Sequence, residues 1–241
     1  MGAHQEGPHT MLRDQDRLHL ALMLILTFST GVVDAIGYLG LDKVFTANMT
    51  GNVVILAMGL TGQDDLPIVG PLVALAGFVV GAAVAGRLLR AIPKGWHRRD
   101  TVVLAIVAAL LLVALIPTAF ATSTPADPAI GLPVTALLAV AMGMQAGAAR
   151  HIAVTDVTTV VITSTLAALA FDSRLGRHTG QTWFRRLAAV VLLALGALSG
   201  AALLLIAFWL GLALAALLLV VVAVLGAVGS RRAPVAAAAG K

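Results

Sequence analysis

The stretch VFTANMTGNVVILAMGL, from Val44 to Leu60, decides the fold because it places asparagine, threonine and glycine at the start of a short apolar helix. The helical part, Thr50–Leu60, has 11 residues. At a rise of about 1.5 Å per residue it reaches about 16 Å, half of the ~30 Å hydrocarbon core of a bilayer. We therefore predict a half-helix that enters a membrane without crossing it.

A second copy of this arrangement, IAVTDVTTVVITSTLAALA, begins at Ile152. Its residues Asp156 to Thr159 align with Asn48 to Gly51. One apolar segment after each copy, GFVVG (77–81) matches GALSG (196–200), a spacing of small residues that lets membrane helices approach closely. We favour packing over a ligand role for these glycines.

The composition is typical of a membrane protein. Hydrophobic residues make up 60% of the chain and charged residues 11%, against roughly 25% charged in soluble domains, and the mean hydropathy is +1.00. The absence of cysteine excludes disulfides, thiolate metal sites and cysteine nucleophiles. The net charge of +5 comes from basic residues at the ends of apolar segments, where they set topology, so it does not predict a nucleic-acid partner.

We predict an all-α membrane protein with six transmembrane helices and two short re-entrant or broken half-helices in a single domain, 18–228. A mobile polar tail, 1–17, precedes it, and a disordered tail, 229–241, follows. The last apolar run is roughly twice as long as one span, and we divide it near Phe208, Trp209 and Gly211. The predicted apolar segments are Leu18–Leu39, Ile68–Leu89, Thr101–Phe120, Ile130–Ala149, Val157–Ala170 (short) and Leu187–Val228.

Basic residues predict the orientation, since lysine and arginine favour cytoplasmic loops. If the short segments enter and leave on one face, every basic loop is cytoplasmic, and so are both termini, in a bacterial inner membrane. Trp96 and Trp183 fall in basic loops, where interfacial aromatic residues are expected. The basic residues used are Arg13, Arg17, Arg87, Arg90, Lys94, Arg98, Arg99, Arg174, Arg177, Arg185, Arg186, Arg231 and Arg232.

The same topology divides the domain into two units, 18–120 and 130–228, each with three spans and a half-helix after the first span. Because the first unit starts inside and the second outside, the units form an inverted repeat. Inverted repeats are typical of transporters, whose binding site lies near the midplane where the units meet.

GVVDAIGYLGLDKVFTANMTGNVVILAMGL, with the later MGMQAGAARHIAVTDVTTVVITSTLAALA, resembles the YoaK family, also called the DUF1275 family of bacterial membrane proteins. The resemblance covers the chain from about Leu18 to Val228. It implies a multi-spanning membrane protein and no particular substrate.

Asp34 and Asp156 are the acidic residues within or at the start of apolar segments, where an ionisable group costs a few kcal/mol and usually faces protein or water. Asp34 is a candidate proton-binding carboxylate or cation ligand; the alternatives are a structural hydrogen bond or a place near the outer interface. Asp156 and Asn48 have a dual interpretation, since both are preferred helix caps and a cap can also line a pathway.

Half-helix N-termini carry positive potential suited to an anion or a polar solute. Arg150 and His151 either pair with Asp156 or Asp34 or mark the cytoplasmic boundary, and a lone histidine supports no metal site, so we predict no metal and no cofactor. We expect Gln145 to correspond to Asp34 in the second unit. The predicted pathway residues are Asp34, Asn48, Thr50, Gly51, Asn52, Gln145, Asp156, Thr158, Thr159 and Thr163.

The leading functional hypothesis is a transporter or channel-like permease for a small molecule or ion, acting within the lipid bilayer. The alternative is a non-transporting scaffold or assembly protein, in which polar residues only hold helices together. An enzyme is not expected, because HExxH, GxSxG and P-loop motifs do not occur. The choice between channel and carrier and the presence of a homo-oligomer stay open.

Overall fold

A computed structural model describes residues 8–62, 64–120, 127–154, 162–173 and 183–238. These residues form eight helices and no strand. The helices are α1 (Pro8–Gly40), α2 (Met49–Gly59), α3 (Val69–Leu89), α4 (Arg98–Phe120), α5 (Pro128–Ile152), α6 (Ile162–Phe171), α7 (Trp183–Leu204) and α8 (Phe208–Ala238).

Six of these helices, α1, α3, α4, α5, α7 and α8, are long and apolar enough to cross a membrane. The remaining two, α2 and α6, are apolar but have only 11 and 10 residues. The predicted all-α fold with six long and two short apolar helices is confirmed. The long apolar run divides as well, because α7 ends at Leu204 and α8 begins at Phe208, the residue at which the turn was expected.

The helix ends differ from the predicted tails. α1 starts at Pro8, inside the segment expected to be a mobile polar tail, and α8 continues to Ala238, inside the tail expected to be disordered. Apolar length predicts only the part of a helix that lies in lipid. Beyond that boundary the backbone hydrogen bonds can continue wherever residues such as alanine and arginine favour a helix.

The long helices pack mostly across the two halves of the chain. α1 packs against α7 and α8, α3 packs against α5, and α4 packs against α5 and α8. The short helices rest on long neighbours, α2 on α3 and α6 on α7. Between them lies the main core, whose largest fully buried apolar side chains are Leu22, Met23, Leu26, Ile36, Leu104, Leu111, Leu138, Met142, Leu212 and Leu219.

Glycines determine the closest helix crossings. A Cβ atom on Gly81 of α3 would overlap the carbonyl oxygen of Val140 on α5, and one on Gly143 of α5 would overlap the carbonyl oxygen of Phe78 on α3. In the α1–α7 pair, a Cβ on Gly196 would likewise overlap the carbonyl oxygen of Phe28. These contacts agree with the packing interpretation of the matched glycine motifs.

The two loop tryptophans do not share one environment. Trp183, at the start of α7, has 56% of its surface exposed, as expected at an interface. Trp96 has only 8% exposed, and its indole packs against Gly226 of α8 and stacks on His19 of α1. Unlike Trp183, the Trp96 ring fills a gap between helices, and its Nε1 donates to Thr101 Oγ1 at 3.0 Å.

We expect Gly81→Ala to destabilise the protein by about 1–3 kcal/mol, because the added methyl group must push α3 and α5 apart. Gly86→Ala, one turn later on α3, is the matched control, since a Cβ there meets nothing within 4 Å. Thermal unfolding of both variants in detergent, followed by circular dichroism, measures the difference. Equal midpoints for the two variants would contradict the close α3–α5 crossing.

Candidate functional site

The carboxylate of Asp34 organises the loop that leads into α2. Its Oδ1 accepts the backbone N–H groups of Ala47 at 2.7 Å, Thr46 at 2.9 Å and Asn48 at 3.4 Å, and the hydroxyl of Thr46 at 3.4 Å. Its Oδ2 accepts no hydrogen bond from the residues that the structure describes. One carboxylate oxygen therefore anchors the loop, and the other remains available.

Asn52 holds the other side of the same loop. Its Oδ1 accepts the backbone N–H of Phe45 at 2.9 Å, and its Nδ2 donates to the carbonyl oxygen of Phe45 at 2.6 Å. The side-chain amide thus satisfies both backbone groups of a residue that has left regular structure, which is the requirement for non-helical chain at membrane depth. Asn52 is fully buried and has a structural role in holding this loop, while its place on a pathway stays a prediction.

Asn48 is the N-cap of α2, as predicted. Its Oδ1 accepts the backbone N–H of Gly51 at 3.2 Å. Gly51 is required for a close approach, because a Cβ there would lie 2.7 Å from the ring of Phe45. That ring in turn stacks on Tyr38, with 4.8 Å between the ring centroids. The cluster of Asp34, Asn48, Gly51 and Asn52 is therefore one folded unit.

A buried polar stripe continues from this cluster along α1. Thr27, Thr30 and Asp34 are spaced three and four residues apart and lie on one helix face. Gln145 of α5 meets the stripe, its Nε2 donating to Thr30 Oγ1 at 2.9 Å and to the carbonyl oxygen of Leu26 at 3.4 Å. Its Oε1 is buried and has no hydrogen-bond partner among the residues that the structure describes. An unsatisfied buried acceptor costs roughly 1–3 kcal/mol, so this one is a candidate contact for water or a solute.

The remaining predicted residues fall into two groups. Thr50, in the first turn of α2, and Thr163, at the start of α6, are exposed, and the structure does not bring them into the cluster. Asp156, Thr158 and Thr159 lie outside the described residues.

His151 does not pair with Asp34. Its Nδ1 lies 2.8 Å from Oδ1 of Asp100, a carboxylate with 0% of its side chain exposed. Sequence reasoning missed Asp100 because it stands among arginines just before an apolar run and resembles a loop charge. Its position three residues after His97 could have indicated this role. At that spacing an acidic side chain can accept the backbone N–H of the residue that precedes a helix.

A family model described as "Protein of unknown function (DUF1275)" matches residues 22–225, which include α2 and most of the spanning helices. The chain belongs to the DUF1275 family. It is 34% identical over 152 residues to the UPF0700 transmembrane protein YoaK of Bacillus subtilis (strain 168), and the alignment covers 63% of this chain and 65% of that relative. No solved structure matches the chain. The membership and the six apolar helices together identify a DUF1275 protein that is multi-pass in the membrane.

We expect Asn52→Ala to destabilise this DUF1275 protein strongly, because it leaves the backbone N–H and carbonyl of Phe45 buried without partners, each at about 1–3 kcal/mol. Thr50→Ala, two residues earlier on the exposed face of α2, is the control and is expected to change little. The fraction of each variant that remains monodisperse in detergent after heating reports the outcome. A stable Asn52→Ala protein would show that the amide does not hold the loop.

Proposed function

We propose that the chain is a permease, and not an enzyme, for a small cation or a neutral polar solute, and that it is built as an inverted repeat with both termini in the cytoplasm. One observation carries the proposal: Asp34 uses one carboxylate oxygen to anchor the start of a half-helix, and its other oxygen accepts no hydrogen bond from the described part of the chain and lies beside a buried polar stripe.

The pattern of helix contacts supports the inverted repeat. If α1 to α4 correspond to α5 to α8, the α3–α5 contact is equivalent to α7–α1, and α4–α5 is equivalent to α8–α1. The short helices follow the same rule, with α2 on α3 and α6 on α7. A two-fold axis would therefore relate each of these helix contacts to an equivalent contact. Many transporters have this inverted-repeat arrangement.

The register of the packed helices supports the inverted repeat independently. Gly81 faces the carbonyl oxygen of Val140, and its counterpart Gly200 faces that of Val32. Val32 and Val140 are 108 residues apart, and so are Asn48 and Asp156. The helix packing and the Asn48/Asp156 motif therefore give the same 108-residue offset between α1 and α5, while the matched glycines of α3 and α7 are 119 residues apart.

If the two units are related in this register, Asp34 is expected near the centre of the bundle. Gln145 contacts α1 between Leu26 and Thr30, near residue 28, and the 108-residue offset makes Gln145 equivalent to Gly37. A two-fold axis in the membrane plane inverts height, so residues 28 and 37 are then expected at equal distances below and above the axis. The axis is therefore level with Val32 and Val33. Asp34 is about 2 Å above that level, given 1.5 Å per residue.

The expected correspondence between Gln145 and Asp34 does not hold in this register. The residue equivalent to Asp34 is Met142, three positions before Gln145. The two units therefore differ at the centre: the first contributes a carboxylate, and the second contributes a carboxamide one turn away. Such asymmetry suits a site in which one group binds a proton or cation and the other only forms hydrogen bonds.

The hydrogen bonds around the Asp34 carboxylate change the expected class of solute. Four donors, three of them backbone N–H groups before α2, already converge on the Asp34 carboxylate, and Asn48 caps Gly51. The positive end of α2 is therefore neutralised by a resident acidic group, and a second anion there would be repelled. A cation, or a neutral solute that moves with a proton, is favoured over an anion.

The direct test is solute flux into proteoliposomes, with panels of monovalent cations, amines and weak acids as probes and with empty liposomes as the reference. We expect the flux of a cation or amine to exceed that of empty liposomes. The assay is run with and without an imposed proton gradient. A folded, reconstituted protein that moves none of the probes would favour the scaffold alternative.

We expect Asp34→Asn to reduce that flux to the level of empty liposomes while the protein stays folded. The amide oxygen of asparagine can still accept the N–H groups of Thr46 and Ala47, but the free charged oxygen is lost. The control is Asp42→Asn, an exposed aspartate in the left-handed region (φ 58°), which asparagine also tolerates. Wild-type flux in Asp34→Asn would remove this carboxylate from the transport cycle.

A further inference from the structure

A second polar cluster lies at the basic end of the bundle, where the loop between α3 and α4 meets the end of α5. Asp100, in the first turn of α4, has its Oδ1 2.8 Å from Nδ1 of His151. Its Oδ2 accepts the backbone N–H of His97 at 2.9 Å, and the His97 ring places Nδ1 3.8 Å from the same oxygen. One buried carboxylate thus faces two histidines from two segments of the chain.

Each histidine is oriented by a backbone carbonyl. His151 Nε2 lies 3.2 Å from the carbonyl oxygen of Ile92, and His97 Nδ1 lies 3.1 Å from that of Gly95. Because a carbonyl oxygen can only accept, these two ring nitrogens carry protons. A neutral ring then offers its other nitrogen as a lone pair: Nδ1 for His151 and Nε2 for His97. Metal-binding histidines are held in this way, with the non-ligating nitrogen bonded to a carbonyl or carboxylate.

The separation of the ligand atoms fits a common centre. One ligand atom from each of His97, Asp100 and His151 lies within 4.8 Å of the others. Ligands at about 2.0–2.2 Å from an ion can be up to about 4.4 Å apart. The three groups must therefore move slightly closer, and the His97 ring must turn its ligand nitrogen toward the ion. We propose that these three residues bind a divalent transition-metal ion. Imidazole ligands favour zinc, cobalt or nickel over magnesium and calcium, which prefer oxygen ligands.

The surroundings allow entry of such an ion. The His97 side chain is 38% exposed, while those of His151 and Asp100 are 12% and 0% exposed, so the ion reaches the buried carboxylate past His97. Arg98, Arg99 and Arg150 flank the site, but all three are exposed, where salt screens their repulsion. Without a cation, His151 Nδ1 must hold a proton to face the carboxylate, so metal binding displaces that proton.

The test uses the full chain in detergent, purified through a tag without histidines, and Co²⁺ as a probe with a visible absorption spectrum. We expect one Co²⁺ per chain and proton release on binding, with Zn²⁺ competing and Mg²⁺ having no effect. Mutation of residues that only support metal ligands typically lowers metal affinity roughly 10–100-fold. His97→Gln and His151→Gln, which remove proposed ligands, should each lower the Co²⁺ affinity by at least that much. His19→Gln, which lies outside the cluster, is the control and should bind as the wild type does.

His97→Gln decides the outcome, because the His97 ring is partly exposed and the backbone N–H of residue 97 can still donate to Asp100, so we expect the variant to fold. Equal Co²⁺ affinity in the wild type and His97→Gln, or an equal loss in His19→Gln, would overturn the site. A wild-type protein that binds no Co²⁺ would leave a protonated His151–Asp100 ion pair instead. None of these readouts depends on transport, so the result stands apart from the proposed permease activity.

Discussion

Three successive backbone N–H groups, those of Thr46, Ala47 and Asn48, converge on one oxygen of Asp34, and the first half of the structure depends on this interaction. A chain that leaves helical structure within a membrane exposes backbone groups that lipid cannot satisfy. Asp34 satisfies the donors before α2, and Asn52 satisfies the donor and the acceptor of Phe45. Together they allow a short helix to begin inside the protein.

The bundle around this loop is held by close packing of backbones. Between helices in lipid there is little hydrophobic driving force, so small residues and interhelical hydrogen bonds supply the contacts. Gly81 and Gly143 bring α3 onto α5, and Gly196 and Gly200 bring α7 onto α1. Tight crossings of this kind leave the polar stripe of α1 between helices and facing Gln145. The fold thus keeps the Asp34 carboxylate bonded to the loop before α2.

The sequence predicted those features that depend on local patterns. Apolar length located the six spans and two short helices, and the residue type at Asn48 predicted its capping bond. Features that depend on distant contacts were missed. The clamp between Asn52 and Phe45 needs a loop conformation that periodicity does not encode, and Asp100 meets His151 across 51 positions of sequence. Apolar length also says nothing of where a helix ends outside lipid, as the long α8 illustrates.

The central claim is the proposed inverted repeat, and such a repeat predicts that the two short segments start near one another where the units meet. Its most direct test is cross-linking of Thr50→Cys with Thr158→Cys, which is clean because the chain has no native cysteine. A protease site placed between the two units distinguishes links within a chain from links between chains. The account predicts that a short bifunctional thiol reagent joins this pair within one chain and fails to join Thr50→Cys with Lys94→Cys, at the basic end. Two cysteines that each react singly, with no link between positions 50 and 158, would contradict it.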